Sequence, residues 1–96
     1  MNKIPQKFQS ILWSANIKDL DLEKDKNYII HQILMYGDLN QIKWLIGIYG
    51  LTTVREVFIK SPQVIYSPEA LNFIKNIVLG LGKIKIKEEK YVKTLF

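Results

Sequence analysis

Turn-forming and capping residues cut this chain into short segments, and that punctuation limits what it can fold into more than any other feature. Gly37-Asp38, Gly50, Ser61-Pro62, Ser67-Pro68 and Gly80 each supply a residue type that helix ends require. Asp21 is placed to cap a helix over residues 22–36, in which Leu22, Ile29, Ile30, Ile33 and Leu34 share one face, with Gly37 as a left-handed stop. Asp38 caps a second helix over 39–49. This helix is apolar nearly all round, which predicts a central position, and Gly47 inside it suggests a close helix approach.

Thr53 with Glu56 reads as a capping box for a short third helix ending near Lys60, with Val54, Val57 and Phe58 inward. Gln63 to Tyr66 reads as an extended linker. Ser67-Pro68-Glu69 then opens a fourth helix running to about Leu79, burying Leu71, Ile74, Ile77, Val78 and Phe73, and closed by Gly80 and Gly82. Gln6 to Leu12 reads as a short leading helix. No strand pattern is long enough to build a sheet, so the expected fold is all-α, a compact bundle of four to five short helices. Residues 1–82 form the expected domain, with 83–96 as a docked tail. That tail alternates as a strand does over Lys83 to Lys87, while Glu88 to Phe96 suits a helical turn or two.

The chain has 96 residues, which allows one core. Its 48% hydrophobic and 24% charged content is that of a folded domain and not of a disordered one. The absence of cysteine removes disulfides, thiolate metal sites and cysteine nucleophiles. The longest apolar-rich stretch, Trp44 to Leu51, is far shorter than the roughly 20 residues of a membrane span. No signal-peptide core is visible, and a cytoplasmic protein is the simplest expectation.

No catalytic apparatus is legible. His31 is the one histidine, and it reads as a surface or boundary side chain without a metal or acid–base partner. The acids are dispersed, with no calcium-loop spacing, and the glycines form no phosphate cradle. The expectation is therefore a non-enzyme that uses no cofactor and no metal.

Charge and apolar content point toward binding. Of the net charge of +5, the last fourteen residues carry +3, from five lysines against Glu88 and Glu89. Lys83, Lys85 and Lys87 are candidate phosphate contacts, as are Arg55 and Lys60 if the segment from Leu39 to Lys60 acts as a helix-turn-helix. That helix would offer a thin set of groups to base edges, so DNA binding is the alternative reading. Ile84, Ile86, Tyr91 and Phe96 make the tail too apolar for a free end, and they are candidate protein contacts together with Trp13 and Tyr66. A homodimer through this tail is a further arrangement the sequence allows.

The order Leu12-Trp13, Leu20-Asp21, Ile29-Ile30, Leu34, Tyr36-Gly37-Asp38, Trp44-Leu45, Tyr49-Gly50, Arg55-Glu56-Val57, Ser61, Ser67-Pro68 and Asn72-Phe73 resembles a small prokaryotic domain of unknown function. Genes for that domain are often found beside genes for abortive-infection nucleotidyltransferase toxins. The likeness spans about residues 12 to 80, with departures at Ser14, Gln32 and Ile74. It implies a small non-enzymatic protein that binds a nucleotidyltransferase-type toxin, in the manner of an antitoxin.

Overall fold

The computed structural model describes residues 4–92. Four helices carry the fold: α1 (Lys26–Tyr36), α2 (Leu39–Tyr49), α3 (Leu51–Lys60) and α4 (Pro68–Phe73), the last running on into a π-helical turn over Ile74–Val78. Short 3-10 turns occupy Gln6–Ser10, Ile17–Asp19 and Glu88–Lys90. Among the described residues there is no strand, only an isolated parallel bridge between Tyr66 and Val92. The fold is the all-α compact bundle that the capping signals predict.

The helix ends show where local chemistry decides structure. Asp38 accepts from the Gln41 backbone N–H while the Gln41 side chain accepts from the Asp38 N–H, a reciprocal cap that fixes the start of α2. Asp21 accepts from the N–H groups of Glu23 and Lys24, and these two donors hold its carboxyl below the ordinary carboxylate value. The turn it caps precedes α1, which begins only at Lys26 and not at Leu22. Ser67 accepts from the Ala70 N–H and Pro68 takes the first position of α4.

Two expectations about glycine and one about a helix cap need correction. Gly37 is extended, at φ −78°, and does not make a left-handed stop. A Cβ there would lie 2.6 Å from the Ile33 carbonyl oxygen, so close backbone approach explains the glycine. Gly47 faces open space, with no helix drawn close. Gly50, at φ +85°, lets α3 begin at once at Leu51. The capping box expected at Thr53 is therefore absent, and Thr53 lies inside α3.

The centre of the bundle is α1 and not α2. Ile29, Ile30, Ile33 and Leu34 are buried there together with His31 and Gln32, whereas α2 fully buries only Ile42 and Leu45. Before α1, the Gln9 side chain staples the irregular chain. Its amide nitrogen donates to the carbonyls of Leu12 and Ala15, and its oxygen accepts from the Ile17 N–H. Phe8 and Leu12 are thereby held in the core, with Phe8 packed edge-on against Trp44.

The π turn explains why α4 buries fewer residues than its sequence suggests. The Leu79 N–H donates to the Ile74 carbonyl five residues earlier, so each residue of this turn advances less than it would in an α-helix. After Leu71 and Ile74, the inward position passes to Leu79. Ile77, expected in the core, is 70% exposed, and Phe73 is 44% exposed. Arg55 Nε donates to the Leu79 carbonyl at 2.7 Å, which ties the end of this turn to α3.

Candidate functional site

The polar heart of the molecule lies beside α1. His31, expected at the surface, is fully buried, with Nε2 2.7 Å from the Ser61 carbonyl oxygen and Nδ1 2.7 Å from the Tyr66 hydroxyl. A carbonyl can only accept, so Nε2 carries the proton. In the neutral ring Nδ1 is then an acceptor, and Tyr66 donates to it. Burial disfavours the charged imidazolium and lowers the His31 pKa, against a smaller raising effect of its contacts with backbone carbonyls. Burial likewise raises the pKa of the Tyr66 hydroxyl.

The neighbouring Tyr91 hydroxyl donates to the Phe58 carbonyl, and its ring stacks on Phe58 at a centroid distance of 4.8 Å. The Tyr66 N–H in turn donates to the Tyr91 carbonyl. Every buried polar side-chain atom among the described residues has a partner. This satisfied, water-excluded network joins α1, the end of α3, the linker and the C-terminal segment, and its chemistry is that of a structural tie. Among the described residues, no group of three or more His, Asp or Glu side chains is placed to hold a metal ion.

The residues singled out in the sequence do not gather at one place. Tyr66 and Tyr91 are core residues of this fold, so neither offers a side chain to a partner. Trp13 is 56% exposed and meets Tyr36 edge to face at 4.6 Å. Ile84 is exposed and Ile86 half-buried beside α4, and Phe96 lies outside the described residues. Arg55 is engaged by the Leu79 carbonyl, and Lys60 stands 3.5 Å from Glu56 on the same helix. Lys83, Lys85 and Lys87 all reach solvent.

A surface the sequence did not reveal lies at the corner between α1 and α2. Here a groove of about 270 Å³ is lined chiefly by Leu34, Met35, Leu39, Ile42, Phe73 and Ile74. Leu39, at 64% exposure, and Phe73 stand at its open side. Both belong to apolar stripes that periodicity assigns to the core. The available signal was position: Leu39 is the first residue of α2, where a stripe runs past the end of its neighbour.

The part of the chain that builds α1, α2 and nearly all of α3 also carries its family relationship. Residues 8–58 match the model of a family of unknown function, DUF6922. The match covers more than half of the chain, and the protein belongs to that family. No curated protein and no solved structure matches it. Among the described residues, no helix is long and apolar enough to cross a membrane.

Proposed function

We propose that this chain is a non-catalytic protein-binding module, an antitoxin-like partner that covers a surface of a nucleotidyltransferase-type toxin. The observation that carries the protein-binding reading is the groove at the α1–α2 corner, where Leu39 and Phe73 hold large apolar surface in water. Such surface on a small domain is costly unless a partner covers it. The groove is lined by aliphatic and aromatic carbon, which suits apolar side chains of a partner protein and offers little to a phosphate backbone. The identity of that partner rests on the resemblance described above.

The DNA-binding alternative has less support. The face of α3 that would enter a groove has its arginine committed to a backbone carbonyl and its terminal lysine beside a glutamate.

The test is capture from the native host with the tagged full chain at two salt concentrations. A nucleotidyltransferase-type protein retained at a fixed ratio at high salt, and lost with Leu39→Glu, supports the proposal. Nucleic acid released at the higher salt, with no such protein, overturns it.

A further inference from the structure

After the core residue Leu81 the chain turns back along α4 to reach the core residues Tyr91 and Val92. The Leu81 N–H donates to the Lys75 carbonyl at 2.7 Å, and the Ile84 N–H donates to the Leu81 carbonyl at 3.0 Å, which sets the turn. At the far end the Tyr66 N–H holds the Tyr91 carbonyl, so Glu88 comes to lie toward Pro68 while Gly82 lies beside Lys75. Between the helix and the returning chain is a cleft of about 390 Å³, inside the roughly 300–1,000 Å³ range of small-ligand sites. The helical run lines it with Pro68, Leu71, Asn72, Lys75 and Asn76, the three- and four-residue spacing of one face.

The hydrogen bonds inside the cleft use up its acceptors and leave its donors. Lys75 Nζ, which can only donate, reaches Asn76 Oδ1 at 3.5 Å and the Gly82 carbonyl at 3.3 Å. This fixes the Asn76 amide with its nitrogen toward Asn72, and that nitrogen donates to Asn72 Oδ1. The Asn72 amide nitrogen and the Lys85 ammonium have no partner among the described residues. Both are donors, with the Lys75 charge beside them. Glu88 is the one acid in the lining, and it stands at the Pro68 end. The remaining side chains of the lining are apolar: Pro68, the buried Leu71, the half-buried Ile86 and Ile84, which is 41% exposed.

We propose that this cleft binds a small organic anion, a carboxylate carried on an extended apolar body. The carboxylate accepts from the Asn72 amide and the Lys85 ammonium, with Lys75 adding charge, and the body runs toward Pro68 over Leu71, Ile84 and Ile86. Glu88 repels an anion at the Pro68 end and so gives the ligand one direction. An inorganic anion would meet the donors but leave Ile84 uncovered, and a neutral apolar molecule would cover the donors without pairing them. The proposal goes beyond the protein-binding reading and does not rest on it. From α4 and its π turn, the groove at the α1–α2 corner takes Ala70, Phe73 and Ile74, none of which lines this cleft.

Amide NMR of the isotope-labelled full chain, titrated with octanoate at constant ionic strength, tests this. Saturable shifts are expected at the side-chain amides of Asn72 and Asn76 and at the backbone of Lys75, Lys85 and Ile86. Octanoate should bind at least about tenfold more tightly than butyrate, which has the same charge and less apolar body. Octan-1-ol and inorganic phosphate should each bind more weakly than octanoate, since each supplies one half of the ligand. Lys85→Gln, at an exposed position, should weaken octanoate binding by at least about fivefold with an unchanged thermal melt, and Lys83→Gln, outside the cleft, should leave it unchanged. Shifts confined to Leu39 and Phe73, equal weakening by the two lysine variants, phosphate binding as tight as octanoate, or no saturation by millimolar octanoate would each overturn the proposal. Octanoate needs no native partner, so this result stands or falls apart from capture of a nucleotidyltransferase-type protein.

Discussion

The hydroxyl of Tyr66 donates to Nδ1 of His31 across 2.7 Å, joining residues 35 positions apart and fixing the linker between α3 and α4 to the central helix. The other ring nitrogen is held by the Ser61 carbonyl, so this histidine is neutral, buried and bonded on both sides. Stability should therefore depend on its protonation state.

In the unfolded chain the imidazole takes up its proton near its ordinary value of 6.5, whereas burial lowers that value in the fold. On acidification the unfolded state binds the proton first. Stability is complete above about pH 7 and falls as pH drops below about 6.5, by at most about 1.4 kcal/mol per pH unit. Urea unfolding midpoints measured between pH 5 and pH 8 check this, and a flat profile over that range would contradict it.

Tyr66→Phe keeps the ring but leaves Nδ1 of His31 buried without a donor. The expected loss is about 1–3 kcal/mol, enough to lower the melting temperature by at least several degrees in a domain of this size. A thermal melt followed by circular dichroism reads the shift directly.

The glycines provide a contrast in sign. Gly47→Ala should stabilise by up to about 1 kcal/mol, because the position is inside α2 and faces open space. Gly50→Ala should destabilise by about 1–2 kcal/mol through its positive φ. Gly37→Ala should also destabilise, through the Ile33 carbonyl. Denaturant melts of the three variants give the ordering 47 above wild type and 37 and 50 below it.

Arg55→Ala removes the donor that holds the Leu79 carbonyl at the end of the π turn. A loss of about 1 kcal/mol is expected, since the side chain is only half-buried. Hydrogen exchange should rise first over residues 74–81, next to the lost bond. Exchange rising equally throughout the bundle would argue against a local role.

How legible each element was follows from how local its determinants are. The bounds of α2 were readable because Asp38 and Gln41 settle its start between themselves and Gly50 ends it. The start of α3 was not, because Gly50 permits a helix there without any capping side chain and left Thr53-Glu56 as a decoy. The exposure of Ile77 depends on a π turn whose payoff, the burial of Leu79, is a tertiary fact. His31 and Tyr91 find their partners 30 or more residues away, so nothing beside them marks them as interior. Leu39 and Phe73 lie on helical stripes that run beyond the neighbour meant to cover them.

Size-exclusion chromatography with light scattering, on the purified chain mixed with a nucleotidyltransferase-type protein from its host, tests most directly whether this is a protein-binding module. A complex of fixed stoichiometry that survives high salt, and that Leu39→Glu abolishes while the variant's thermal melt is preserved, is the predicted result. Two separate peaks at every salt concentration, or a complex that Leu39→Glu leaves intact, would contradict it.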